Sequence, residues 1–389
     1  MKETIKTKIS NHLSELKKIS KYLFDFPEEG YKEYKATKIL CENLAKNGFD
    51  IEKGVYGIET AFKGIYKSGK SGPAIAFICE YDALPEIGHG CGHNLIACMG
   101  LGAAIGLKSV IDEIGGTIMV LGTPAEETSG AKVEMVRRGA FDDVSFVMMA
   151  HPSPLSEESG TSLALNALEF GYQGKPAHAA HSPEKGINAL DSVILLFNGV
   201  NALRQHVPGT VRMHGIISEG GVAANIVPER AAARFYVRAP KKELRDDVTK
   251  KVISIAEGAG AMTGAQLTWK HYEESYDDLR TNKTLSKAFN LNLLQLGEEQ
   301  IYQNASLRGS LDIGNVSQVV PTIHPWIGMG DKNIVPHTRE FAEHTLTEKG
   351  TEALFKGACS LAMTAYDVIV SEELQHEIQK EFEEQQKSV

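Results

Sequence analysis

Three short apolar runs, each breaking off into residue types that hold protons or metals, constrain this chain more than any other feature. Pro73 to Cys79 (PAIAFIC), Gly116 to Leu121 (GTIMVL) and Val144 to Ala150 (VSFVMMA) read as buried strands of an α/β sheet. The first leads into Glu80-Tyr-Asp82-Ala-Leu-Pro-Glu-Ile-Gly-His-Gly-Cys91-Gly-His93-Asn94, the second into Glu126-Glu127, and the third into His151-Pro152. In open α/β sheets ligands bind beyond the carboxyl ends of the strands, so these groups converge where such folds carry their chemistry.

Cys91-Gly-His93 places a thiol and an imidazole two residues apart, able to reach one ion if the backbone bends, and Gly88, Gly90 and Gly92 permit the bend. Leu95 to Val110 follows as an apolar, Ala-rich helix, which puts these ligands at a helix N-terminus. Taken singly, each residue has a plainer reading. A cysteine is most often a small core hydrophobe, as expected for Cys79 and Cys98, and two glutamates are most often a solvated loop pair. Convergence of thiol, carboxylates and imidazoles at successive strand ends outweighs those readings. Adjacent glutamates suit metal-assisted hydrolysis, since one can bind the metal while its neighbour moves the proton of an activated water.

The middle of the chain has a different rhythm. Strands at Thr161–Gln173, Thr210–Ser218, Arg230–Arg238 and Ala265–His271, with helices at Gly186–Gln205 and Lys241–Ala259, follow the order β-α-β-β-α-β, a ferredoxin-like signature. With 389 residues, more than one hydrophobic core usually serves, the expected organisation is a catalytic domain of residues 1–161 and 277–389 interrupted by an inserted domain of residues 162–276. The N-terminal helix, Ile5 to Phe24, carries a packing stripe of Ile9, Leu13, Leu16, Ile19 and Leu23. The tail Glu372 to Val389 reads as a solvated or frayed helix end.

The segments EYDALPEIGHGCGHN, GTPAEETSGAK, MMAHP, GKPAHAAHSPEKGINA, GGVAANIVPERA and GSLDIGNVS resemble the amidohydrolases of metallopeptidase family 20. That family includes aminoacylases and auxin-conjugate hydrolases, and the wording is most similar to its aminobenzoyl-glutamate and β-alanyl-dipeptide hydrolase branch. The resemblance implies an α/β catalytic domain of phosphorylase/hydrolase-like fold, with a mixed sheet flanked by helices, and a lid or dimerisation domain inserted into it. It implies two divalent ions, with Cys91 shared between them and His93, Glu127, His151 and His337 completing their shells. Glu126 would be the general acid/base, and Asp82 would orient a ligating side chain. In the inserted domain His178 and Asn225 would face the substrate carbonyl, the histidine from a partner subunit, and Arg238 is a weaker candidate for a substrate carboxylate. Two departures stand out: Asn94 replaces the aspartate that follows His93 in many relatives, and Glu80 occupies the first position of the more familiar His-x-Asp ligand motif.

The expected activity is hydrolysis of an N-acyl amino acid or small dipeptide by a metal-activated water. A thiolate favours zinc, whereas the carboxylate and imidazole donors equally admit manganese. Two other classes compete: a metal-independent cysteine hydrolase using Cys91 and His93, and a non-catalytic metal- or peptide-binding protein. The net charge of −9, without a basic cluster, argues against a nucleic-acid partner. The lack of a signal-peptide pattern or of eighteen consecutive apolar residues argues against a membrane role. Five scattered cysteines fit a reducing, cytoplasmic setting.

Overall fold

The computed structural model describes residues 1–303 and 309–387. Its strands are β1 (Asp50–Lys53), β2 (Phe62–Lys67), β3 (Ala74–Cys79), β4 (Thr117–Gly122), β5 (Phe146–Met148), β6 (His151–Ser153), β7 (Ala164–Gln173), β8 (Arg212–Glu219), β9 (Arg230–Ala239), β10 (Gln266–His271), β11 (Thr322–Ile323) and β12 (Trp326–Gly328). The chain forms two compact units. One comprises Met1–Thr161 and most of the chain from Leu279 onward, and the other is chiefly Ser162–Asp278.

In the first unit a sheet runs in the order β1-β2-β4-β3-β5-β11, with β4, β3, β5 and β11 mutually parallel and β1 and β2 added antiparallel at one edge. Parallel strands are covered on both faces, which explains why β3 and β4 are continuous apolar runs rather than alternating ones. The helix His93–Ile114 packs on β3 and β4, and the helices Lys2–Asp25 and Glu348–Val370 pack on it in turn. Small residues allow that close approach: a Cβ at Gly106 would stand 2.6 Å from Ile9, and one at Gly102 would stand 2.9 Å from Leu16. Ile5, Ile9, Leu16, Ile19 and Leu23 are buried along one face of the first helix, each worth roughly 1.5–3 kcal/mol by removal from water. Leu13, expected in that stripe, is only partly buried.

Helices His93–Ile114 and Glu348–Val370 are each long and apolar enough to cross a bilayer, yet both are mostly buried against other elements. The tail forms a regular helix, Glu372–Lys387, and does not fray within the described residues; positions 388 and 389 lie outside them. Its Ile378 is buried, its Ile378 carbonyl accepts a bond from Asn282, and Glu381 caps the amides of Lys283 and Thr284. A charged composition masked one buried side chain per few turns, which is enough to dock a helix.

The second unit is a four-stranded antiparallel sheet, β10-β7-β9-β8, with helices Ala189–Leu203 and Lys242–Thr263 packed against it. Alternation along β9, where Ala231, Ala233, Phe235, Val237 and Ala239 are buried, directs one face of the sheet toward those helices. The chain order of these elements is β-α-β-β-α-β, so the fold is a mixed α/β unit interrupted by a ferredoxin-like one.

Candidate metal centre

The site is assembled where β3 and β4 end and where the helix His93–Ile114 begins. After β3 the chain makes a tight bridge between Leu84 and Gly88, then turns through Gly92 at φ 81° into the helix. That turn needs glycine twice over: a side chain would be strained at this φ, and a Cβ would stand 2.5 Å from Pro152. The turn places Cys91 and His93 on either side of it. His151 opens β6 after a break in the strand and does not terminate β5; the break at Met149 and Ala150 redirects the chain so that its ring meets Cys91.

Hydrogen bonds fix which nitrogen of each imidazole is available. His93 Nδ1 is 2.9 Å from Asp82 Oδ1 and 3.0 Å from the Asp82 carbonyl, so it donates there and leaves Nε2 bare. His151 Nδ1 donates to the Pro152 carbonyl at 2.7 Å, leaving its Nε2 3.4 Å from Cys91 Sγ. Asp82 uses its other oxygen to accept from the Glu127 amide at 2.9 Å, so one carboxylate orients two of the expected ligands. His337, at φ 65°, is tied by its amide to the Gly90 carbonyl and brings Nε2 to 3.6 Å from Glu127 Oε1.

The result is three overlapping donor groups, each with atoms within 4.8 Å of one another: Cys91, His93 and His151; Cys91, Glu127 and His337; and His93, Glu126 and Glu127. Two atoms in these groups, His93 Nε2 and Glu127 Oε1, are buried and have no hydrogen-bond partner among the described residues. A buried polar atom left unpaired costs about 1–3 kcal/mol, and bound cations would satisfy both atoms. The donor set of thiol, imidazole and carboxylate fits a divalent transition metal.

The electrostatics agree. Burial raises the Cys91 thiol pKa, and the Glu127 carboxylate adds to it, so a thiolate there requires a nearby cation. Burial, with His324 and His93 adding to it, lowers the His151 pKa to about 3 and keeps that imidazole neutral, the form that binds metal. Burial opposes a charge on His93, but the Asp82 carboxylate outweighs it and raises the pKa well above the usual range, so an ion at Nε2 would have to displace a proton. Burial and then Glu127 push Glu126 well above the ordinary carboxylate range. The cysteine-hydrolase alternative leaves the glutamates unused, and it needs a thiolate where burial pushes the Cys91 thiol pKa up, although both His93 and His151 stand near its Sγ.

His178 and Asn225 lie together in the second unit, both exposed. The Asn225 carbonyl accepts from Ala179 at 3.0 Å, and His178 Nδ1 accepts from the amides of Ala180 and His181 at 3.2 and 3.1 Å. Arg238 is in the same unit but not in that cluster. It sits near the end of β9 that pairs with Leu165, whereas the loops of His178 and Asn225 adjoin the Arg230 end. Its Nε is buried with no hydrogen-bond partner among the described residues, and its guanidinium lies 5.4 Å from the centre of the Tyr236 ring.

Several residues with structural claims on the site escaped the sequence reading as functional candidates. Buried Glu33 accepts a bond from the amide of Ala125, which precedes Glu126. Lys132 forms buried ion pairs with both Glu80 and Asp312. Lys132 and Asp312 stand inside the quoted motif segments, but no spacing links them. Asn94 donates to Ser20 Oγ and Thr345 Oγ1, both at 3.0 Å, so the amide that replaces a carboxylate is used to join helices.

A thiol, three imidazoles and paired glutamates gathered at the strand ends of an α/β sheet define the chain as a metal-dependent hydrolase of amide bonds. The chain belongs to peptidase family M20/M25/M40, whose model matches residues 76–358. It is 36% identical to the Xaa-Arg dipeptidase of Mus musculus over 98% of this chain and 92% of that one. It is also 33% identical to a p-aminobenzoyl-glutamate hydrolase polypeptide of Escherichia coli, over 69% of this chain and 60% of that one. Among solved structures, an aminobenzoyl-glutamate utilization protein from Klebsiella pneumoniae superposes with a TM-score of 0.72 at 18% identity, covering 91% of this chain and 96% of that one. A dinuclear metal-binding peptidase of the same family from Bacillus subtilis gives 0.68 at 19%, covering 92% and 99%. The structural likenesses establish the fold.

Proposed function

We propose that the protein is a two-metal dipeptidase or aminoacylase, with Cys91 shared between ions held by His93 and His151 on one side and by Glu127 and His337 on the other. The observation that carries this reading is the pair of overlapping donor groups joined at Cys91, together with the orphaned His93 Nε2 and Glu127 Oε1. Bound divalent ions, zinc or manganese, would supply Lewis acidity toward a carbonyl and lower the pKa of water toward neutrality. Glu126 takes the proton of the attacking water and returns it to the leaving amine. Burial and the neighbouring Glu127 hold it well above the ordinary carboxylate range, and a bound divalent ion would lower it again. Asp82 holds His93 and the Glu127 backbone in place throughout.

His178 and Asn225 supply donors to the developing oxyanion, and Arg238 receives a substrate carboxylate. The inserted domain of residues 162–276 acts as lid and as the contact of a homodimer. That role is consistent with exposed Ile216 and Ile217 on edge strand β8. The relative named for an Xaa-Arg substrate makes dipeptides with a basic C-terminal residue the first class to test, ahead of aminobenzoyl-glutamate and N-acyl amino acids. The setting is the cytoplasm, where Cys91 stays reduced.

The test is metal content by mass spectrometry after reconstitution with zinc or manganese and desalting, alongside turnover of a dipeptide and N-acyl amino acid panel. Two ions per wild-type chain, fewer in Cys91→Ala, with chelator-sensitive turnover, support the reading. Turnover by a metal-free wild type overturns it.

A further inference from the structure

Lys132 is fully buried, at 0% exposure. Its ammonium is 2.7 Å from Glu80 Oε1 and 2.7 Å from Asp312 Oδ1, and its own amide donates to Asp312 Oδ2 at 3.2 Å. Glu80 and Asp312 are themselves buried, at 2% and 0%. The three groups come from distant parts of the chain: the end of β3, the helix Ala131–Arg137 and the residue preceding the helix Ile313–Ser317. A buried ion triad is rarely a net source of stability, because desolvation of each charge consumes most of the attraction, so its cost calls for a role.

The geometry supplies one. Glu80 has two oxygens, and Lys132 occupies the first; the second, Oε2, stands 3.6 Å from His93 Nε2. That nitrogen is the bare one, because Asp82 takes Nδ1. Glu80 belongs to none of the three donor groups, so it flanks the ion's place from outside them. Without the ammonium, the carboxylate would lose the bond that sets its torsion, and two buried carboxylates would face each other uncompensated.

We propose that Lys132 is a positioning residue of the metal centre: by holding Glu80 at one oxygen and Asp312 at the other flank, it keeps the second Glu80 oxygen beside His93 Nε2, the nitrogen that would receive an ion. The proposal rests on the two-metal reading above. It makes Glu80 a fixed anionic wall beside one ion, and Lys132 the group that fixes it. It also explains why an otherwise costly lysine is placed inside the sheet end. Groups that orient metal surroundings typically contribute ten- to a hundredfold in affinity, about the size expected here.

The experiment compares metal-free wild type, K132M, K132R and E80Q by circular dichroism and thermal melting, then titrates each with zinc against a competing chelator. Methionine fills the lysine's volume without its charge, and glutamine preserves the shape of Glu80. K132M and E80Q are expected to hold the fold, to keep one ion at wild-type affinity and to bind the other at least about tenfold more weakly, with K132R recovering most of the loss. Should K132M not fold, E80Q decides the matter alone. An E80Q protein with wild-type stoichiometry and affinity overturns the proposal, including where K132M is weakened and K132R fails to rescue it, since that pattern is packing alone. A wild type that binds no zinc or manganese overturns the metal centre itself, a failure distinct from the first.

Discussion

The polar residues of the two units are built in opposite ways. In the first, His93 and His151 are buried, each has one nitrogen tied off by a defined acceptor, and the remaining nitrogen faces the other donors of the centre, His151 Nε2 beside Cys91 Sγ and His93 Nε2 without a hydrogen-bond partner among the described residues. In the second, His178 and Asn225 are exposed, and His178 Nδ1 is satisfied by neighbouring amides of its own loop. A buried donor set declares its ligand through what it leaves unpaired. An exposed pair declares only that it is held in place, and its purpose depends on what approaches it.

That contrast predicts how mutations should separate. The largest effect belongs to Glu126→Gln, expected to retain both ions and lose at least about a thousandfold in kcat, in line with losing a general base and then acid. Near-normal turnover with full metal content would remove Glu126 from the mechanism. Next comes His178→Ala, expected to cost about a hundred- to a thousandfold in kcat while zinc affinity stays at the wild-type value, because an oxyanion donor is of that worth and touches no ligand. Loss of zinc binding in that variant would erase the distinction between the two units. Asp82→Asn is expected to weaken zinc about ten- to a hundredfold, since the amide cannot serve the His93 ring and the Glu127 backbone as a carboxylate does. A titration indistinguishable from wild type would show that His93 does not depend on that bond.

How much of this was legible from residues alone follows the same division. Cys91, His93, Glu126, Glu127 and His151 could be found because parallel-sheet strands must be apolar and their ends need not be, so polar clusters at those ends stand out against the pattern. The strand order β-α-β-β-α-β was legible for a similar reason, since its alternation and helix periodicities differ. Lys132 and Asp312 were not, because a lysine in a short helix and an aspartate in a Gly-Ser loop look solvated until tertiary contacts bring them within 2.7 Å of each other. The tail is the solvated helix its composition suggests, with Ile378 as its one buried side chain among the described residues, a docking point that composition does not reveal.

Glu33 marks the boundary between the two kinds of residue, since it is buried beside the site but touches no proposed ligand side chain. Its Oε1 accepts from the Ala125 amide at 2.9 Å, and Ala125 sits at φ 59°, so the carboxyl group steadies a strained turn leading into Glu126. Burial, with Asp82 adding to it, raises the Glu33 pKa to about 7 from an ordinary value of 4.5. Because the folded state holds the proton more tightly than the unfolded one, this group's contribution to stability is fully present below pH 4.5 and is lost as pH rises through about 7. A shift of that size corresponds to at most about 3 kcal/mol. Glutamine keeps the acceptor and removes the titration, so the stability of Glu33→Gln relative to wild type should climb between those pH values and level off above them. Denaturant melts of the metal-free proteins from pH 5 to 8 measure that difference directly. A difference that does not change with pH would mean that Glu33 is already ionised in the folded protein, and that its hold on the Glu126 turn comes from a charged bond.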